Sequence, residues 1–226
     1  MLVNADFSRC AVVAADQYHW VASPQSGVER VMLDRLGGET GRATSIVRYA
    51  SASCFPQHQH AGGEEILVLS GTFSEGNRHY PAGWYLRNPP GSSHQPSSDE
   101  GAIIFVKLGQ MPPGEDRAVR IDTHDPLCWG RRAGRDVCLL FSDASERTAL
   151  LRLDPDEQLF ANAIDSAELL VLTGELCGEL WSDGRQYVRG CWLRLPAGEY
   201  PDLVAGPHGA TLYLKTGHLA GLAAGG

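Results

Sequence analysis

An internal repeat constrains the fold of this chain more than any other feature. The segment EILVLSG at 65–71 recurs as ELLVLTG at 168–174. Glycine, proline and glycine follow each copy at one spacing: Gly83, Pro89 and Gly91 in the first, and Gly190, Pro196 and Gly198 in the second. Because two blocks recur in the same order, we expect two copies of one unit. The Pro-Pro-Gly at 112–114 is the expected linker, which predicts domains 1–118 and 119–226.

Both copies have the pattern of an all-β protein. Short apolar runs alternate with turn residues roughly every ten residues, as in sandwiches and barrels. The 26 glycines and 13 prolines favour many turns over long helices. Segments 43–49 and 102–107 are rich in β-branched and aromatic residues, which favour strands. We therefore predict an all-β fold.

Charge and hydropathy exclude several classes of protein. With 19 basic and 27 acidic residues the net charge is −8, which argues against sequence-independent nucleic-acid binding. The longest apolar runs fall short of the ~18 residues that a membrane span requires. Residues 1–6 show no basic or apolar leader, so we expect a cytoplasmic protein. The six cysteines form no C-x-x-C pair, and we expect most of them to be buried thiols.

One stretch concentrates side chains that bind metals. Side chains alternate between the two faces of a strand, so His58 and His60 point to the same side. Glu64, four residues after His60, would point to that side as well if the strand continued. A turn at the two glycines before Glu64 would instead bring Glu65 forward, so parity alone leaves the choice open. His94, far along the chain, is a fourth candidate that only folding can bring in.

Histidine nitrogens with one carboxylate suit zinc and also iron, manganese, nickel and copper. Calcium would require more oxygen ligands. An H-x-H pattern alone is more often a pair of surface histidines, but here three of the eight histidines fall within the two repeated blocks, beside a carboxylate. The other five have no partner at ligand spacing: His19, His79, His124, His208 and His218.

These residues resemble the two motifs of the cupin superfamily. The first motif is matched by His58, His60, Glu64 and Gly71, and the second by Gly83, Pro89, Gly91 and His94. The motif spacing selects Glu64 over Glu65. The chain departs from the motifs at Ala52, where they have glycine, and at Ser98, where asparagine is frequent. The resemblance implies a tandem cupin, or bicupin, built from double-stranded β-helix (jelly-roll) barrels.

A narrower resemblance covers about residues 20–110. The segments 42–49, 60–71, 80–83 and 87–94 are similar to the cupin domain of the ChrR family of zinc-dependent anti-sigma factors. This implies one divalent metal ion, zinc first, with iron, manganese or nickel as alternatives. In that family a separate N-terminal zinc module with an H-x-x-x-C-x-x-C signature binds the sigma factor. This chain has no such signature, so we do not expect direct sigma-factor binding.

The second copy lacks the candidate ligands. The equivalent positions are Ala161, Ala163, Ala167 and Pro201. We therefore expect the second unit to be a structural or pairing partner without a metal of its own.

Two functions follow from the resemblance, and catalytic residues are left unassigned. The first is a zinc-dependent regulatory protein that senses a small ligand or an oxidant, with Cys54 either taking part as a thiol or simply buried and inert. The second is an Fe(II)-dependent dioxygenase acting on a diketone or a hydroxyacetophenone-like molecule. For an isomerase or a sugar-binding protein we find no motif.

Both functions imply a small-molecule ligand, and neither needs nucleic acid or a membrane. Arg48 is a candidate anchor for an anion, with a surface salt bridge as the alternative. Because small β barrels leave strand edges that pairing often covers, we also expect a homodimer. Four aromatic residues are candidates for lining a pocket or packing in the core: Phe55, Trp84, Tyr85 and Phe105.

Overall fold

The computed structural model describes residues 1–38, 41–178, 180, 185–200, 202–220 and 222. Within these ranges it contains strands and two short 3-10 helices, Ala15–Gln17 and Pro126–Cys128, but no α-helix, which confirms the all-β prediction. No helix among these residues is long and apolar enough to cross a membrane. The strands are, in chain order, β1 (Leu2–Val3), β2 (Ala11–Val13), β3 (Val21–Ala22), β4 (Val28–Leu36), β5 (Arg42–Tyr49), β6 (Ser53–Cys54), β7 (His58–His60), β8 (Glu64–Glu75), β9 (Arg78–Pro81), β10 (Trp84–Asn88), β11 (Ser92–His94), β12 (Pro96–Ser98), β13 (Ala102–Leu108), β14 (Val119–Asp122), β15 (Trp129–Arg132), β16 (Arg135–Ser142), β17 (Arg147–Leu153), β18 (Ala167–Gly178), β19 (Arg185–Val188), β20 (Trp192–Leu195) and β21 (Val204–Thr216).

The first compact unit, which we call the N-terminal unit, comprises Met1–Ala5 and His19–Pro126. Its main sheet has the order β1-β4-β5-β13-β8-β10-β14, and β7 pairs with β11 in a separate ribbon. All these pairings are antiparallel, and the strands form a jelly-roll barrel. The barrel interior is a buried apolar cluster of Val28, Tyr49, Ile66, Val68, Phe73, Tyr80, Leu86, Ala102, Ile104 and Val106.

The second compact unit, the C-terminal unit, comprises Asp6–Tyr18 and Leu127–Gly226. Its sheet has the order β15-β16-β17-β21-β18-β20-β2, with β19 beside β18. It has a core of its own, which includes Val137, Leu151, Leu169, Val171, Tyr187, Leu193 and Leu212.

Each unit carries one copy of the repeated sequence on an equivalent strand, β8 in the first and β18 in the second, so the predicted tandem arrangement is confirmed. β8 and β18 are both 12 residues long. Gly71 and Gly174 occupy equivalent positions, with φ values of +68° and +69°. A Cβ at Gly71 would lie 2.0 Å from the Gly101 oxygen, and one at Gly174 would lie 2.1 Å from the Gly209 oxygen. Positive φ and these close approaches both require glycine, which explains why the repeat keeps it.

The units do not coincide with the predicted domains 1–118 and 119–226. β14 pairs with β10 and therefore belongs to the N-terminal unit, although it lies beyond residue 118. β2 pairs with β20 and belongs to the C-terminal unit, although it lies near the start of the chain. Each sheet thus completes an edge with a strand from the other side of the expected boundary. The backbone groups of an edge strand can pair with any nearby extended segment. The repeat therefore does not predict which segments form the edge strands.

Candidate metal centre

Strand pairing brings three of the four predicted ligands together. In the β7–β11 ribbon, His94 is the register partner of His58. The ring centroids are 4.6 Å apart for His58 and His60, 4.9 Å for His58 and His94, and 4.8 Å for His60 and His94. The three imidazoles therefore form one cluster, because the pairing of β7 with β11 brings His94 beside His58 and His60.

Glu64, the first residue of β8, completes the cluster. The Nε2 atoms of His60 and His94 lie 2.8 Å apart. The Oε2 atom of Glu64 lies 3.5 Å from the first and 3.4 Å from the second. One ligand nitrogen from each of the three histidines lies within 4.8 Å of the other two. The structure thus places Glu64 beside His60 and His94, which in turn lie beside His58.

Hydrogen bonds at the far side of two rings fix their orientation. The Nδ1 atom of His58 lies 2.9 Å from the carbonyl oxygen of Pro56. The Nδ1 atom of His94 lies 2.6 Å from Oε1 of Glu75. Since both partners are acceptors, Nδ1 carries the proton in each ring and the Nε2 lone pair faces the cluster. Such outer partners orient the histidines in metal sites.

A polar network surrounds the cluster. The amide nitrogen of Asn88 donates to Glu64 and to Glu75, at 3.1 Å in both cases. Arg120 donates to Oε2 of Glu75 at 3.0 Å and to Oδ1 of Asn88 at 2.5 Å. Glu75 is thereby committed to His94, Asn88 and Arg120. It shares a second compact grouping with Glu64 and His94, but these bonds make it a supporting residue for His94.

Sequence reasoning missed Glu75, Asn88 and Arg120. Asn88 directly precedes Pro89 of the second repeated block. The alternation of side chains along β10 places it on the same face as Leu86, and this pattern could have marked it. Glu75 lies at the end of β8, where no motif marks it. Arg120 lies on β14, beyond the expected domain boundary.

The environment favours neutral imidazole at His60 and an ionised Glu75. Burial lowers the pKa of His60, although the charge of Glu64 opposes the shift. Burial would raise the pKa of Glu75, but the hydrogen bond with His94 and the charge of Arg120 outweigh it and lower that pKa. At His94 burial is outweighed by the hydrogen bond with Glu75 and the charge of Glu64, so the pKa is raised.

Glu65 lies on the opposite face of β8. It is 2% exposed, and its carboxylate lies 2.9 Å from Nη1 of Arg87, which is fully buried. The hydroxyl of Tyr85 donates to its other oxygen at 2.9 Å. The turn before β8 therefore leaves Glu64, not Glu65, beside the histidines.

The donor set fits a divalent transition-metal ion. His58, His60, Glu64 and His94 offer three nitrogens and a carboxylate, which suits zinc, iron, manganese or nickel and is too poor in oxygen for calcium. The bonds at Nδ1 of His58 and His94 direct the Nε2 atom of each ring towards the cluster. His58, His60 and His94 form one grouping that could hold such an ion, and Glu64 belongs to an overlapping one with Glu75 and His94.

The C-terminal unit has no comparable ligands at the equivalent positions that the structure describes. Ala161 and Ala163 are exposed and Ala167 is buried, and alanine offers no donor atom. Pro201 lies outside the described residues.

Two other candidates lie away from the cluster. Cys54 is exposed, and Gln95 donates to its sulfur at 3.4 Å. The metal-binding groupings found among the described residues do not include it. Arg48 forms a 2.6 Å ion pair with Glu29 and is 43% exposed, so its interpretation as a surface salt bridge is confirmed.

A cavity of about 370 Å³ lies beside the cluster and includes His58, His60 and Glu64 in its wall. Of the four aromatic candidates, Phe55 lines this cavity. Tyr85 lies with Glu65 on the opposite face of the sheet. The remaining two pack elsewhere, Trp84 at 5.4 Å from the Tyr80 ring and Phe105 in the core.

Residues 8–112 match the sequence model of the ChrR cupin-like domain. This part of the chain is a ChrR cupin-like domain. The second unit repeats the antiparallel β architecture of the first, so the chain has the tandem arrangement of a bicupin. No curated protein matches it.

Solved structures with the same fold are distant in sequence. A candidate dioxygenase from Nostoc punctiforme is 16% identical, with a TM-score of 0.73 over 92% of this chain and 82% of that one. A candidate glyoxylate-induced protein from Pseudomonas aeruginosa is 19% identical, with a TM-score of 0.69 over 96% and 90%. The pirin YhhW from Escherichia coli, solved with nickel(II), is 13% identical, with a TM-score of 0.62 over 92% and 98%. At these identities the likeness shows the fold alone.

The Glu75–His94 hydrogen bond gives a testable prediction for this bicupin. We expect Glu75→Gln to weaken metal binding by about 10- to 100-fold, because the ring of His94 loses its charged orienting partner. Competition with a chromophoric chelator measures the affinity. Glu29→Gln, a surface glutamate 44% exposed, is the matched control and should leave the affinity unchanged. Equal affinities for both variants would show that Glu75 does not support the site.

Proposed function

We propose that the N-terminal unit holds one zinc ion through His58, His60, Glu64 and His94, and that the protein binds a small molecule at this site in a regulatory role. The observation that carries the proposal is the convergence of these four side chains beside a cavity of about 370 Å³. Four protein donors are the number that stable zinc sites use. The match to the ChrR cupin-like domain supports the regulatory role.

The chemistry of the cavity wall supports binding over hydrolysis or isomerisation. Apart from the candidate ligands, the titratable side chains among its described lining residues are Arg30, Arg35 and Tyr49. Arginine stays protonated. Burial, with the charges of Glu64 and Glu75, raises the pKa of Tyr49, so it stays a phenol that can donate a hydrogen bond. The wall therefore offers donors to a bound molecule but no general base besides the candidate ligands.

A metal-dependent dioxygenase is the second candidate, favoured by the apolar cavity that adjoins the cluster. Ferrous iron at this site would supply the redox chemistry. The protein's own contribution would be to hold a diketone-like substrate against Val47, Ile104 and Val106, which line the cavity, and to keep bulk water away from it.

Oxygen uptake distinguishes the two functions. The protein is purified anaerobically, loaded with Fe(II) to a verified occupancy and assayed with a panel of diketones. We expect uptake no faster than that of the Glu64→Ala/His94→Ala double variant, and slow release of zinc from the zinc-loaded form. Uptake well above the variant, with iron as the metal that copurifies, would replace the binding function by the dioxygenase.

A further inference from the structure

The cavity beside the metal centre is apolar along one side. Its lining includes Val28 on β4, Val47 on β5, and Ile104, Val106 and Leu108 on β13. Val28, Ile104 and Val106 are nearly fully buried, at 4%, 2% and 4% exposure. This wall suits the carbon skeleton of a small molecule, and the volume falls within the range of ligand pockets.

Arg30 interrupts this apolar wall. It lies on β4, two residues after Val28, so both side chains point to the inner face of the sheet. Its register partner on β5 is Val47, which is in turn the partner of Ile104 on β13. Arg30 thus occupies the same inner row as two apolar residues, and it lines the cavity with them.

The charges around the cavity favour an anionic occupant. Its described charged residues, apart from the histidines, are Arg30, Arg35 and Glu64. Glu64 is assigned to the metal ion, and the other two are arginines, which stay protonated. In a partly desolvated space a positive field selects anions strongly.

Arg30, and not Arg35, lies in the same row as Val47 and Ile104. Arg35 lies near the end of β4, where its register partner is Ala43 and its Nη2 atom donates to the carbonyl oxygen of Gly38 at 2.6 Å. Arg30 lies in the middle of β4, and a guanidinium binds a carboxylate through two parallel hydrogen bonds.

We propose that the cavity binds a small organic acid, with its carboxylate on Arg30 and its apolar part against Val47 and Ile104. The neutral phenol of Tyr49, which also lines the cavity, is a further donor to such a ligand. The inference rests on the proposed metal site and names the class of ligand that the site takes.

Two probes of one shape test the charge requirement. Benzoylformate and phenylpropanedione differ in that a methyl ketone replaces the carboxylate. We expect zinc-loaded protein to bind benzoylformate at least about tenfold more tightly in titration calorimetry, as for a hydrogen bond to a charged group. Arg30→Met, which keeps the aliphatic stem, should remove this preference. The matched control is Arg48→Met, on the neighbouring strand and outer face, and it should keep the preference.

The outcomes separate this inference from the metal site. Equal affinity of the wild type for the two probes, or a preference that persists in Arg30→Met, overturns the carboxylate assignment while stoichiometric zinc leaves the metal site standing. Should Arg30→Met not fold, Arg30→Lys takes its place, and an unchanged preference for benzoylformate with full retention of affinity would deny Arg30 its bidentate role. A wild type that takes up no metal refutes both proposals.

Discussion

Replacing Glu65 by alanine should destabilise the metal-free protein by about 3–5 kcal/mol, the cost of breaking a buried ion pair. The exchange removes the carboxylate 2.9 Å from Nη1 of Arg87. Arg87 is fully buried and Glu65 is 2% exposed, so water cannot replace the lost carboxylate. The lost hydrogen bond from Tyr85 adds to the effect. Denaturation by urea measures the difference in the free energy of unfolding.

The neighbouring glutamate provides the matched comparison. Glu64→Gln should cost only about 1 kcal/mol in the metal-free protein, typical of one altered hydrogen bond, here the bond with Asn88. It should, however, greatly weaken metal binding, whereas Glu65→Ala should retain the metal wherever it remains folded. A larger loss of stability for Glu64→Gln than for Glu65→Ala would contradict the assignment of the two faces of β8.

Metal removal should have the second large effect. With free zinc at a thousand times its dissociation constant, binding to the folded state alone adds about 4 kcal/mol to stability. We therefore expect a chelator to lower the melting temperature of the N-terminal unit markedly, as followed by scanning calorimetry. The stabilisation should disappear in the Glu64→Ala/His94→Ala variant, because half of the ligand set is gone.

His124→Ala is the control for this experiment. The side chain of His124 is 73% exposed, and it belongs to none of the metal-binding groupings found among the described residues. The variant should show the same response to zinc and chelator as the wild type. A melting temperature of the wild type that changes with neither zinc nor chelator would contradict the stabilisation of the folded state by a bound metal.

Local sequence patterns predicted the arrangement of the site because side-chain parity and repeat spacing are short-range properties. The alternation along β7 placed His58 and His60 together, and motif spacing distinguished Glu64 from Glu65. The second repeated block marked His94 as a candidate, but no local pattern could place it, since only the β7–β11 register brings it opposite His58.

What the sequence did not reveal depends on contacts between distant strands. Arg120 supports Glu75 from β14, and β14 joins the N-terminal unit through an edge pairing with β10 that no composition signal marks. The same limitation displaced the domain boundary. No motif on β4 marks Arg30. The sequence of β5 predicts a strand at Arg48 but does not show which face of the sheet its side chain occupies.

Elemental analysis of protein purified anaerobically from unsupplemented cells tests the central claim most directly. The wild type should contain close to one equivalent of zinc per chain, and the Glu64→Ala/His94→Ala variant should contain almost none. The control His124→Ala should match the wild type. Equal metal content in the wild type and the double variant would contradict a metal centre at His58, His60, Glu64 and His94.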